Sequence, residues 1–295
     1  MRKKIYFIVK QISQQKFMRL KKAISTQANE HFLEFEILKS TYGGHALKLT
    51  RKAIEEKADA VVACGGDGTI NEIARVLVDK QIPLGIIPIG SGNGIAGHFG
   101  IPLNLSDAID IIFKDYRIKM DLGFFDEKIF LGNLGFGLES IFIKIYNKKG
   151  LHGFFAYCNA FFKSIKSFIY PRFMIEWQGN KMKVKPLVLL FSNLNQQGYS
   201  FTLTPNAKSN DGNLEMVCIE KLNIFQILKF LIFVIQRKEI RAKEVHRISF
   251  SKMRITDLNE GPIKYEIDGE FFKTHKKSLE IKVFKEKLSL IVSEN

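Results

Sequence analysis

Cysteine is scarce in this chain: Cys64, Cys158 and Cys218 are the only three in 295 residues. Far apart and odd in number, they form neither a CxxC pair nor a metal-ligand spacing. They read as core filler in a reducing, cytosolic compartment. Long apolar runs are missing too. The nearest approach to the roughly 18 apolar residues of a membrane span is LNIFQILKFLIFVIQRK, 222–238, which Asn223, Gln226 and Lys229 interrupt. The N-terminal MRKKIYFIVKQ has an apolar run of only Ile5 to Val9. That is too short for the apolar core of a signal peptide and reads as a buried first strand. No segment is polar or repetitive enough for a disordered tail, and no solenoid-length repeat is visible. What remains is a chain with 46% hydrophobic residues, enough for a sizeable core, in two domains or one large one.

Acids are the minority, 30 against 45 Lys and Arg, for a net charge of +15. The imbalance is local. Residues 144–185 hold nine Lys and Arg against the single acid Glu176, and the same segment is dense in phenylalanine, as in GLHGFFAYCNAFFKSIKSF. Such a charge suggests an anionic partner, nucleic acid or a membrane surface. Lysines interleaved with large apolar residues fit the membrane better than nucleic acid, because rings insert among acyl chains while lysines meet headgroups. A basic surface over a Phe-rich core fits the same composition, and the sequence leaves the two readings open.

The first 118 or so residues alternate. KIYFIV, FEILKS, DAVVAC and PLGIIPI read as strands. FMRLKKAISTQANEHF, ALKLTRKAIEEKA, INEIARVLVDK and LSDAIDIIFKD read as helices, the last capped by Ser106, and GIAGHF opens one more. This order predicts a doubly wound parallel sheet covered on both faces. Such sheets bind ligands beyond the carboxyl ends of their strands, where each of the glycine-rich loops falls. From about Asp121 the segments become short, β-branched or aromatic, and separated by turn residues, from KIFLGNLGFG to LEIKVF. That pattern predicts an antiparallel sandwich or barrel, with helical insertions near 141–169 and 223–236. The expected organisation is α/β plus all-β: an α/β domain over 1–118 and a β-sandwich-like domain over 119–295. Whether the final KLSLIVSEN returns to the first domain as a strand stays open.

Within VVACGGDGTINEIARVL, 61–77, Thr69 and Glu72 have the spacing of a capping box. Ile70, Ile73, Ala74 and Leu77 form the buried face of the helix that follows. The loop Gly65-Gly66-Asp67-Gly68 therefore lies between a buried strand and a helix N-terminus, where N–H groups and the helix dipole favour an anion. Glycine lets a phosphate approach the backbone. Three glycines exceed what a turn requires, and Asp67 adds a carboxylate that no fold reason demands. A second loop, IIPIGSGNGIAGHFGIP at 86–102, has the same design. Its Gly92-Asn93-Gly94-Ile95-Ala96-Gly97 matches the dinucleotide fingerprint. The acid that should follow on the next strand is not there, since Asp110 and Asp115 fall in or near a helix. Two loops on one edge suit a triphosphate held from two sides better. The Walker A lysine motif and the kinase H-R-D are absent.

A third element is YEIDGEFF, 265–272. Asp268 and Glu270, at i and i+2 of a strand, share a face. One can hold Mg²⁺ or orient a strand, and the other can accept a proton from a hydroxyl. Alone, D-G-E is also an ordinary turn.

Together, GGDGTIN, GSGN after a strand and DGE near the C-terminus resemble the diacylglycerol kinase catalytic family, which includes the bacterial soluble lipid kinases, the sphingosine kinases and the ceramide kinases. The resemblance spans nearly the whole chain in order and spacing. It implies an N-terminal nucleotide-binding α/β domain, a C-terminal β-sandwich-like domain for the lipid, and a nucleotide in the cleft between them. It implies transfer of the γ-phosphoryl of ATP, with Mg²⁺, to a lipid hydroxyl; with the cysteine usage and the basic Phe-rich segment, the expected protein is cytoplasmic and peripherally associated with the membrane. Thr41 in TYGGHA matches a nucleotide-contacting threonine. Gly65, Gly66, Asp67, Gly68, Thr69, Ile70 and Asn71 match the nucleotide loop, and Ser91, Gly92 and Asn93 match the second loop. Asp211 in NDGNLEM matches a Mg²⁺-binding aspartate, with the carbonyls of Leu214 and Met216 as co-ligands, a donor set suited to a hard cation. As bare sequence, the Asp-Gly there is also a hairpin turn. Glu270 matches the proton acceptor, and Asp67 is its rival by similarity to the sphingosine-kinase branch. Glu139 in GFGLES sits where that branch places an acid near the lipid head, or is a solvated residue.

The chain departs from the family after its first strand. Where the family carries Asn-Pro-x-x-Gly, this sequence reads Val9-Lys10-Gln11-Ile12-Ser13-Gln14. Lys10 offers a phosphate charge without the neutral amide. The acceptor implied is diacylglycerol or a related lipid, with a sphingoid base or ceramide as the alternative. A non-catalytic lipid-binding protein of the same fold is the rival of another class. An NAD kinase shares the GGDG-T loop, but its later, separate Asn-Glu motif is not found.

Overall fold

The computed structural model describes residues 3–148, 168–197, 202–220 and 245–294. It divides into two compact units, Met1–Met120 with Glu286–Asn295, and Asp121–Lys285.

In the first unit β1 (Lys4–Val9), β2 (Glu34–Lys39), β3 (Ala60–Gly65) and β4 (Leu84–Pro88) lie in the order β2-β1-β3-β4, all parallel. Strands β3 and β4 are buried at every position, as a parallel strand covered on both faces requires. The helices are α1 (Gln14–Glu30), α2 (His45–Glu55), α3 (Asp67–Leu77), α4 (Gly94–His98) and α5 (Leu105–Lys114). Helix α2 packs beside α3, and α1 beside α5. Two expected caps are corrected. The N-cap of α5 is Asn104, whose side chain accepts the N–H groups of Ser106 and Asp107 at 2.8 and 3.4 Å. Ser106 is already inside the helix, so its hydroxyl cannot reach back over the first turn. Likewise α3 is capped at Gly66, which puts Thr69 within the first turn and leaves the capping box unformed.

β5 (Arg117–Phe125) and β16 (Ser278–Ile291) each have residues in both units. In the first unit, Leu290 of β16 pairs with Leu84 in parallel to β4, and Lys287 forms an ion pair with Asp79 at 2.8 Å.

The second unit contains β6 (Lys128–Phe130), β7 (Asn133–Gly137), α6 (Leu138–Lys148), β8 (Phe173–Trp177), β9 (Asn180–Val184), β10 (Val188–Ser192), β11 (Leu214–Ile219), β12 (Val245–Phe250), β13 (Lys252–Asp257), β14 (Ile263–Ile267) and β15 (Glu270–Thr274). One antiparallel sheet has the order β12-β11-β10-β7-β14-β15. Facing it, β13 pairs with β8 and with Ser278–Lys282 of β16, and β8 pairs with β9. The core between them is aromatic. Phe136 of β7 meets Phe173 of β8 at 5.5 Å and Phe191 of β10 at 5.9 Å, edge to face. The expected insertions near 141–169 and 223–236 lie mostly outside the described residues. So does Cys158. Cys64 and Cys218 are free and buried, and burial pushes the Cys218 thiol up to about 12.

Candidate active site

The two glycine-rich loops of the first unit touch backbone to backbone. A Cβ on Gly66 would stand 3.1 Å from the Cα of Gly90, and one on Gly90 would stand 2.5 Å from the Cα of Gly66. A Cβ on Gly65 would collide with the Thr69 side chain. These glycines are therefore required by packing. Gly68 is not: it is exposed, and a Cβ there meets nothing within 4 Å. It lies in the first turn of α3, where Thr69 and Ile70 close onto the Gly66 carbonyl. The N–H groups of Asp67 and Gly68 remain at the open end of the helix.

Asp67 has a fold reason after all, which corrects the sequence reading. Its two oxygens accept the N–H groups of Gly94 and Ile95 at 3.1 and 3.0 Å, capping α4 from the other loop. The first N–H groups of α4, within the apparent dinucleotide fingerprint, are thus already bonded, and α4 is only five residues long. Asn93, at φ +49°, closes its own turn through Gly90 N–H and C=O. Ser91 is exposed. Asn71 is buried in α3 with its Oδ1 unpartnered. Glu72 caps a different helix: it accepts from Gly44 and Ala46 at 2.9 and 3.1 Å, fixing the start of α2 beside Thr41. The backbone N–H of Thr41 donates to His45 Nδ1, on whose ring Tyr42 stacks at 4.5 Å. At the end of β1, the Lys10 N–H donates to Cys64 C=O at 3.0 Å, next to Gly65. Burial holds the half-buried Lys10 ammonium below the usual lysine range, and Lys16 adds to this.

In the second unit Asp268 and Glu270 do not share a strand face. Asp268 and Gly269, at φ +48° and +84°, form the two-residue turn between β14 and β15. The Asp268 carboxylate accepts three N–H groups, from Leu131, Gly132 and Asn133 at 2.8–2.9 Å. Of its two readings, it orients a strand. Glu270 opens β15 and is exposed.

Glu139 is half-buried rather than simply solvated. Its Oε2 is buried without a partner, as is Oε1 of Glu266 on β14. Burial pushes the Glu139 carboxyl up to about 7. Burial, and then the charge of Glu139, hold Glu266 well above the ordinary carboxyl range. Sequence reading missed Glu266; the signal was an acid between two apolar residues, Tyr265 and Ile267, that are both buried.

Asp211 is exposed in the turn before β11 and accepts Asn213 N–H at 2.9 Å. Next to it, the buried Asp121 accepts Gly212 N–H at 2.7 Å. Burial, with Asp211 adding to it, pushes the nearby Glu215 carboxyl up. This turn therefore gathers negative charge in a strongly basic chain, and its donors are hard oxygens, which fits a hard cation in kind. Among the described residues no cluster of three His, Cys, Asp or Glu could hold a metal, so backbone carbonyls such as those of Leu214 and Met216 would have to complete a site.

The chain thus combines a parallel α/β unit carrying paired glycine loops with an antiparallel sandwich. Residues 4–125 match the model of the diacylglycerol kinase catalytic domain, and residues 132–292 that of the YegS C-terminal NAD kinase beta sandwich-like domain. The chain belongs to the diacylglycerol kinase family and is a lipid kinase. It is 26% identical over 233 residues to a diacylglycerol kinase of Staphylococcus aureus (strain bovine RF122 / ET3-1), covering 77% of this chain and 73% of that one. It is 25% identical over the same length to a diacylglycerol kinase of Staphylococcus saprophyticus, covering 77% and 75%. The fold matches the crystal structure of a diacylglycerol kinase from Bacillus anthracis str. Sterne with a TM-score of 0.78, at 18% identity over 99% of this chain and 97% of that one.

Proposed function

We propose that this lipid kinase transfers the γ-phosphoryl group of ATP to the hydroxyl of diacylglycerol or a related lipid. A sphingoid base or ceramide is the alternative acceptor. The observation that carries the ATP assignment is Gly68: an exposed glycine with no packing reason, at the open N-terminus of α3, in a loop whose other glycines are all required by contact. Backbone N–H groups there suit a phosphate, and Lys10, half-buried at the neighbouring strand end, supplies positive charge.

Glu270 accepts the proton of the attacking hydroxyl as its oxygen bonds to the γ-phosphorus and ADP leaves. Phosphoryl transfer depends mainly on positioning and charge, so Glu270 chiefly aligns the hydroxyl. Its exposure favours it over Asp67, whose two oxygens are held by N–H groups. Asp211, with carbonyls of the same turn and strand, would hold Mg²⁺, which neutralises phosphate charge when bound.

Among the described residues no helix is long and apolar enough to cross a membrane. The basic, Phe-rich segment 144–185 is proposed to dock the protein on an anionic surface from the cytoplasmic side. Activity on vesicles is then expected to rise with anionic lipid and fall with salt; indifference to both would remove docking by charge. The deciding experiment is transfer of labelled phosphate from ATP to diacylglycerol, monoacylglycerol, a sphingoid base and ceramide in mixed micelles. One labelled lipid is expected with the native chain and almost none with Glu270→Gln. No product at high ATP and Mg²⁺ would favour a non-catalytic lipid-binding protein.

A further inference from the structure

Glu139 and Glu266 pose a problem that the phosphoryl transfer does not use. Glu266 is 2% exposed and stands across the β7–β14 ladder from Gly135. Glu139, in the first turn of α6, folds its side chain over the same glycine. A Cβ on Gly135 would lie 2.6 Å from Glu139 Oε2 and 2.8 Å from Glu266 Oε1. Among the described residues these are the two carboxyl oxygens that are buried and without a hydrogen-bond partner. The glycine leaves room for both, and among the described residues no donor is supplied to either. The second oxygen of Glu266 accepts Gly269 N–H at 2.9 Å.

Among the described residues, the charged groups around the pair do not relieve it. Asp268 in the turn is another acid, already saturated by three N–H groups. Lys144 of α6 lies over the Phe271 ring at 5.4 Å. Lys264 of β14 and Lys273 of β15 are exposed and face each other across the hairpin. Strands β7 and β10 contribute no titratable side chain. Two ionised carboxylates in this position would be desolvated and mutually repelled.

We propose that Glu139 and Glu266 share one proton in an O–H···O bond over Gly135, and that this bond positions the β14–β15 turn, with Glu270 at its end, against α6. The role given to Glu270 rests on the function proposed above; the shared proton does not. The proton supplies the donor that both oxygens lack, and a carboxylic acid–carboxylate bond is among the stronger hydrogen bonds. The upward displacement of both groups by burial accords with it. The sign follows: a carboxyl raised in the folded state stabilises at low pH, and its contribution is lost as pH climbs through about 7.

The test reads the full chain without activity first. Carboxyl carbon shifts of labelled glutamate are followed from pH 4 to 9. Two linked glutamates titrating in separate steps, at least one of them well above the ordinary carboxyl range, are expected; all glutamates titrating in the ordinary range would overturn the proposal. Melting temperature should fall by about 3–6 °C as pH rises from 6 to 9. In Glu266→Gln, whose amide donates to Glu139 at any pH, that slope should vanish, and an unchanged slope would overturn the shared proton. Should this variant not fold, Glu139→Gln and the titration of the native chain decide. If Mg²⁺ added to metal-free protein abolishes the high titration, a cation rather than a proton joins the pair, and the proposal falls. The positioning role is read separately: kcat should drop in the native enzyme as pH rises through the pair's titration, with the KM for ATP unchanged, and Glu266→Gln should flatten that limb. A native limb that survives in the variant removes positioning. A native chain with no kinase activity on any lipid would sink the role of Glu270, while the titration still decides the proton.

Discussion

Two pairs of acids, one in each unit, meet opposite fates. In the first unit the carboxylates of Asp67 and Glu72, both on α3, each accept two backbone N–H groups at the start of another helix, α4 and α2. In the second, Glu139 and Glu266 turn toward one glycine with no donor between them. The difference lies in what a parallel sheet and a sandwich offer. Helix N-termini gathered at the carboxyl edge of a parallel sheet present spare N–H groups. Within a strand ladder the N–H groups are spent on pairing, so in the second unit the acids that find backbone donors, Asp268 and Asp121, find them at turns, and Glu266 finds only Gly269 N–H. The first unit therefore uses carboxylates to fix its loops and helix ends to one another. The second stores carboxyls whose charge is costly.

Glu270→Gln offers the largest effect with which to break this contrast: phosphoryl transfer is expected to fall about 10²–10⁴-fold with folding intact. Near-native rates would move the base to Asp67. Next come the glycines. Gly90→Ala should destabilise the first unit by about 2–3 kcal/mol, because its Cβ meets the backbone of Gly66. Gly68→Ala should melt like the native chain while ATP affinity, read by calorimetry, declines. Equal melting of the two variants would refute the separation between packing glycines and the ligand-facing one. Asp67→Ala removes the trans cap of α4 and should cost about 1–2 kcal/mol in denaturant unfolding. No loss of stability would leave Asp67 a purely chemical role. The smallest effect is expected at Lys10: Lys10→Met should weaken ATP about tenfold, as for one charge-assisted contact, and adenosine hardly at all. Equal losses for both ligands would place Lys10 away from the phosphates.

Much of the architecture was legible in the sequence. The uniformly apolar DAVVAC and PLGIIPI marked buried parallel strands, and the short aromatic segments after Asp121 marked an antiparallel sandwich, because side-chain period is a local property. The position of the glycine loops at strand ends was legible for the same reason. Their internal logic was not. Thr69 and Glu72 have capping-box spacing, yet Gly66 starts the helix and Glu72 serves α2. Asp268 and Glu270 suggested one strand face, yet a positive φ at Asp268 puts a turn between them.

By itself, the sequence determined the family, the order of strands and helices, and which loops carry glycine, since all of these follow from residue identity and spacing along the chain. Only the tertiary structure decided which glycines are packed and which is open, which N–H groups occupy Asp67, and that Glu139 and Glu266 meet over Gly135. These depend on groups far apart in sequence brought within a few ångströms. The worth of a carboxylate is set by the donors that surround it in space, and the chain order does not record them.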